Sequence, residues 1–122
     1  MQLAQQVIDL VNQERAGQGL SALRVNTELM EGAQIRSREI VTKFSHERPN
    51  GEHGYQLAFR AGFSTVGENI AYGYSSAEAV MEAWMNSSGH RANILGAGFT
   101  EIGVGCYRGS NGLLYWAQLF GG

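Results

Sequence analysis

Ile102-Gly103-Val104-Gly105-Cys106 limits how this chain can fold more than any other stretch. Side chains along a strand alternate between its two faces. Ile102, Val104 and Cys106 therefore make one face apolar, while Gly103 and Gly105 leave the other almost bare. A bare glycine face admits the close approach of a helix or loop. The stretch sits in a C-terminal β-hairpin: a strand over 99–108, a Gly109-Ser110-Asn111-Gly112 turn and a strand over 113–120.

Upstream, the apolar spacing is helical. Leu3, Val7, Leu10 and Val11 mark a first helix that Gly17-Gln18-Gly19 stops. Leu20 and Leu23 form a short connector, and Asn26 or Thr27 caps a second helix. The buried face of that helix reads Met30, Ala33, Ser37, Ile40, Val41 and Phe44, with Arg36, Arg38 and Lys43 turned outward. Residues 45–54 hold the only proline and two glycines, which predicts an exposed loop. A short helix over about 54–61 closes at Gly62, and 66–73 reads as a strand. Ser75 and Glu78 offer a capping box for a helix whose apolar face is Ala77, Val80, Met81 and Trp84. A second helical piece runs from 89 to 95. Several helices and about three strands, with the hairpin last, predict a single α+β layered domain over residues 1–122.

With 122 residues, a net charge of -2 and no basic cluster, the chain offers little to nucleic acid. No apolar run approaches the roughly 20 residues that span a bilayer, so no membrane-spanning segment is expected. Cys106 is the only cysteine, which excludes an intramolecular disulfide and fits a small core hydrophobe. The first residues, Met1-Gln2-Leu3-Ala4, read as neither a signal nor a transit peptide. The chain is then either cytoplasmic or a processed domain.

Three positions draw attention as chemistry. Glu68 lies in an otherwise apolar strand, where a half-buried carboxylate needs a cation, an imidazole or backbone donors. His46 follows the end of the second helix, in a loop that also holds His53, which reads as an ordinary solvated histidine. His90 follows Gly89 and lies three residues after Ser87, so the two can share a helical face. A Gly-x-Ser-x-Gly elbow is absent, which argues against a serine hydrolase. Two neutral imidazoles and a carboxylate suit zinc, although the long spacing leaves their convergence to the fold. A purely structural polar cluster is the competing reading. Asn69 and Asn93 read as amides satisfied by local backbone; Trp84, Tyr115, Trp116 and Phe120 read as core, with Tyr72 or Tyr115 at the edge of a groove.

Five segments, in order, resemble a known family: Phe44-Ser45-His46, Gly67-Glu68-Asn69-Ile70, Trp84 through Leu95, Phe99 through Gly105, and Tyr115 through Phe120. Together they are similar to the CAP superfamily of cysteine-rich secretory, antigen 5 and pathogenesis-related proteins, in its small bacterial branch. The resemblance implies an α-β-α sandwich with a central antiparallel sheet and a cleft carrying two histidines and two acids. By motif, His46 and His90 match the histidines and Glu68 the first acid. Ser87 stands where eukaryotic members carry the second acid, so the tetrad is incomplete. Ser87, Asn69 and Asn93 would line the cleft or support it. The resemblance also implies an extracellular or cell-wall setting.

The preferred reading is an extracellular bacterial domain whose cleft binds a divalent metal, zinc for example, or a small ligand through His46, His90 and Glu68. The alternatives are a non-catalytic module for a protein, glycan or lipid, and a hydrolase using His90 or Glu68 as base. No catalytic residue is assigned.

Overall fold

Gly103 and Gly105 decide the layering. A methyl group on either would overlap the backbone of a helix, at Leu29 and Ala33 respectively. The computed structural model describes residues 2–122. That helix is α2 (Thr27–Thr42), and it lies directly on the bare face of strand β3 (Glu101–Arg108). Asn26 caps α2 by accepting from the Leu29 amide at 2.9 Å. The preceding helix, α1 (Gln2–Gly17), ends at Gly19, which takes φ 71°. There Leu20 N–H donates to Arg15 O and Gly19 N–H to Ala16 O, a glycine-terminated helix end of the Schellman kind.

Among the described residues the sheet has four strands and is mixed, not three antiparallel ones. Its order is β1 (Arg24–Val25), β3, β4 (Leu114–Gly121), β2 (Val66–Tyr72). β3–β4 and β4–β2 are antiparallel, while β1 runs parallel to β3 with Val25 opposite Ile102. Two residues are too few to show a period-2 pattern, so β1 reads as connector in the sequence.

Helices cover both faces. Leu29, Ala33 and Ile40 of α2 and Ala58 of α3 (Gln56–Arg60) pack on Ile70, Tyr115, Ala117 and Leu119. On the other face α1, α4 (Ala77–Met85) and α5 (Ser88–Ile94) pack on Ala71, Ile102, Val104, Cys106, Trp116 and Phe120. Trp84, Trp116 and Phe120 are wholly buried, each stabilising by about 1.5–3 kcal/mol or more. Cys106 is buried in this second core, and burial pushes its thiol pKa up to about 11 against the opposing pull of Arg108. None of the helices is long and apolar enough to cross a membrane.

Two local readings are corrected. The α4 cap is Ser76, whose hydroxyl accepts from Ala79 N–H, and not Ser75. Gly73, at φ 92°, follows the end of β2 where the chain turns toward α4. The buried face of α2 is Leu29, Gly32, Ala33, Arg36, Ser37 and Ile40. Arg36 thus points inward and Phe44 is exposed, the reverse of the sequence reading. Positions 29, 33, 36 and 40 share one stripe of the helix, and the charge at 36 is tolerated because partners meet it there.

β2 forms one edge of the sheet. Its outward carbonyls are taken by side chains: Asn93 Nδ2 donates to Glu68 O at 3.2 Å and Trp84 Nε1 to Ile70 O at 3.3 Å. Filling exposed edge acceptors in this way blunts a strand against pairing with another chain.

Candidate functional site

Glu68 points from β2 toward α2, on the same face as Ile70. Arg36 Nε donates to its Oε2 at 2.6 Å and Nη2 to its Oε1 at 3.3 Å. Both side chains are fully buried. The guanidinium also donates to Glu39 Oε1 at 2.9 Å and to Ser45 O at 2.7 Å. Burial alone would lower the Arg36 pKa, but Glu68 and Glu39 outweigh it and raise the value. Gly54 packs against this pair, and a methyl there would overlap both Glu68 Oε2 and Arg36 Nε.

His46 stands on the loop that follows α2. Its Nδ1 donates to Glu68 Oε1 at 2.8 Å, while the side chain is nearly half exposed. Backbone bonds fold the loop back on itself: Gly54 N–H donates to His46 O and Arg48 N–H to Glu52 O, both at 2.7 Å. Arg48 also donates to Glu39 Oε2 at 2.8 Å, and Arg60 pairs with Glu52. Ion pairs thus extend from the buried Arg36 outward and staple the loop. Arg48 and Arg36 together hold the Glu39 carboxyl below its usual range, against the opposing effect of burial.

His53 is not the solvated histidine its sequence neighbours suggest. Its ring stacks on Tyr55 at 3.6 Å between centroids and lies parallel to His46 at 5.3 Å and 8°. His53 Nδ1 accepts from Tyr55 N–H at 3.1 Å. Burial pushes its pKa down; Glu68 opposes this, while His46 and Arg36 add to it. The sequence signal was faint, since stacking joins residues seven apart across a turn.

His90 rises from the first turn of α5. Its Nδ1 is 2.8 Å from Ser87 Oγ, the predicted i, i+3 contact. Burial, and then the nearby His46, lower its pKa and keep it neutral at pH 7. A ladder of amides fixes the backbone beneath it. Asn69 Nδ2 donates to His90 O and to Gln118 Oε1, and Asn93 Nδ2 donates to Asn69 Oδ1 and to Glu68 O. Asn69 and Asn93 therefore join α5 to β2 and serve the site through the backbone. His46, Glu68, Asn69, Ser87, His90 and Asn93 all line one cavity of about 230 Å³.

Among the described residues, no three His, Cys, Asp or Glu side chains form a group able to hold a metal ion. Both Glu68 oxygens are engaged, Oε2 by Arg36 and Oε1 by Arg36 and His46. Both imidazoles have Nδ1 engaged, His46 with Glu68 and His90 with Ser87. As a nucleophile–base pair, Ser87 and His90 have the right separation. A catalytic dyad also needs a group that orients the base, and the hydrogen bonds described for His90 side-chain atoms end at Ser87.

The sequence pattern of the cysteine-rich secretory protein family, CAP, matches residues 8–120. The chain belongs to the CAP family. Its similarity to YkwD of Bacillus subtilis is 40% identity over 118 residues, covering 93% of this chain and 45% of YkwD. The crystal structure of an extracellular Bacillus anthracis protein containing an SCP domain superposes with a TM-score of 0.86 at 32% identity. That match covers 97% of this chain and 39% of the other. The chain thus spans less than half the length of these two bacterial relatives. NaASP2, whose crystal structure was determined with Zn2+, shares the fold at a TM-score of 0.67 and 16% identity over 96% of this chain and 77% of its own.

Proposed function

We propose that this CAP domain acts outside the cytoplasm and that its cleft takes a divalent metal ion between His46 and His90. One observation carries the reading: both imidazoles line the same small cavity, and each has its Nδ1 tied to a partner. A metal-binding histidine characteristically donates its other ring nitrogen to a carboxylate or other acceptor, which fixes the tautomer and leaves the second nitrogen with its lone pair. Glu68 does this for His46, and Ser87 does it for His90 when Nδ1–H donates to the hydroxyl. The donor set fits an imidazole-preferring ion such as zinc. Glu68 then orients His46 and does not ligate. Ser87 brings a hydroxyl, so the remaining positions fall to water or to an external ligand. A bound ion of this kind acts as a Lewis acid toward an oxygen of that ligand. The Zn2+ in NaASP2 supports the metal, and the extracellular B. anthracis relative supports the setting.

Zinc titration of the metal-stripped protein should raise its melting temperature in wild type and leave a His46→Ala/His90→Ala double variant unmoved. No shift in wild type, or an equal shift in both, overturns the reading.

The fully buried Arg36–Glu68 pair favours a second reading, in which the polar cluster only braces a cleft for a protein, glycan or lipid. Under that reading partner binding survives the double histidine substitution.

A further inference from the structure

Beside the histidine cavity runs a second, larger groove of about 330 Å³ that shares Ser87 and His90 with it. Its floor is Trp84 and the inner residues of β2; its wall is Phe44, Tyr72 and Tyr74. These three rings are 50%, 48% and 37% exposed, an unusual amount of aromatic surface to leave in water. They are not loose. Tyr72 stacks on Tyr115 at 5.6 Å and 16°, and Phe44 meets the Tyr72 ring edge-on at 4.8 Å. Tyr115 is itself buried, and Asn111 donates to its hydroxyl at 2.8 Å. The exposed wall is therefore held in place from behind, the preorganisation that lowers the entropy cost of binding.

We propose that this groove is a subsite for the rings of a neutral glycan. Three features select that class. None of the described side chains lining the groove is Asp, Glu, Lys or Arg, so apart from the His90 imidazole it offers no partner to a charged group. The aromatic wall stays partly exposed to water. A hydrocarbon chain has no polar side to turn to that water, whereas a sugar ring has one apolar face for an aromatic ring and a hydroxylated rim suited to solvent. The third feature concerns hydrogen bonding. Proline-rich peptides dock in aromatic grooves through indole donors to their carbonyls, and both indoles here are spent internally, Trp84 on Ile70 O and Trp116 on Tyr74 O. The polar side chains among the lining residues are Tyr72, Tyr74 and Ser87, whose hydroxyls both donate and accept, as sugar hydroxyls do, and the His90 imidazole. The groove opens onto His90, so a glycan seated in it presents its next group to the histidine pair.

The test is titration with chitotetraose and cellotetraose, followed through the emission of Trp84 in the groove floor, with EDTA present so that it is independent of any metal. Laurate and a proline-rich decapeptide run in parallel. One tetrasaccharide should saturate the wild type and bind Tyr72→Ala and Phe44→Ala roughly tenfold more weakly. Tyr72→Phe keeps the ring and should stay within about threefold. Melting curves confirm that the variants are folded. Silence from both sugars, equal binding to Tyr72→Ala, or a response to laurate or the peptide alone overturns the proposal.

Discussion

Arg36 Nε lies 2.6 Å from Glu68 Oε2, and neither side chain is exposed to solvent. One buried contact thus links the helix beneath the sheet to the edge strand that carries the site, and Glu68 passes the link to His46. Removing one member of a buried ion pair leaves the other charge without a partner and costs about 3–5 kcal/mol. Arg36→Met should therefore destabilise the protein by that amount in urea unfolding. Glu68→Leu should cost a similar amount. The double variant Arg36→Met/Glu68→Leu leaves no orphan charge and should lose clearly less than the sum. Additive losses would show that the two side chains act independently.

Gly54 offers a way to disturb the same pair without touching either member or either histidine. A methyl at this position overlaps Glu68 Oε2 and Arg36 Nε, and both are held from several sides, so neither can simply swing away. Overpacking of this kind costs about 1–3 kcal/mol. Gly54→Ala should lower the unfolding midpoint and also weaken zinc-induced stabilisation, because the Glu68 to His46 bond shifts with the carboxylate. Gly51→Ala in the same loop tests a glycine with open space around it but a φ of 90°. It should lose some stability and keep the zinc response.

Acid should destabilise the metal-free protein in two steps. Burial and His46 lower the pKa of His90, and burial is the largest cause of the same shift in His53. Between those lowered values and the unfolded value of about 6.5, the unfolded chain binds more protons than the folded one. Stability therefore rises with pH through that window and is lost as pH falls through it. Glu39, held low by Arg48 and Arg36 against burial, adds a second loss below its unfolded value of about 4.3. Melting temperatures in EDTA at about pH 7.5, 6.0, 5.0 and 3.5 should fall progressively. A His53→Asn/His90→Asn variant should flatten the upper part of that profile and leave the acidic part intact.

The readable and unreadable parts of the chain separate by the range of the interactions. The glycine face at 103 and 105 predicts the close approach of a helix or loop, and α2 lies there, so near that a methyl on either glycine would overlap the backbone at Leu29 or Ala33. Ser87 and His90 were visible as an i, i+3 pair, since a helix places them by local geometry alone. Arg36 was misread because an arginine in a helix is ordinarily a surface residue, and its partner Glu68 is 32 positions away. The 29–33–36–40 stripe was the available signal, and it becomes legible only with the strand glutamate as its counterpart. β1 was lost for lack of length. His53 was lost because ring stacking across a loop leaves no periodic trace.

His53 supplies the last test. Its ring stacks on Tyr55 and lies parallel to that of His46, whose Nδ1 is held by Glu68. In the proposed metal site His53 would set the plane in which His46 presents Nε2. A positioning role of this kind depends on the flat ring and not on its nitrogens. His53→Phe should preserve the stack and keep zinc affinity within about threefold of wild type, whereas His53→Ala should weaken it by roughly 10-fold, at the low end for residues that orient metal-binding histidines. Calorimetric titration against a competing chelator measures both, and urea unfolding without metal separates positioning from general stability. If Phe and Ala weaken zinc binding equally, the histidine contributes through its nitrogens and the stack is incidental. If neither changes it, Glu68 alone holds His46 in place.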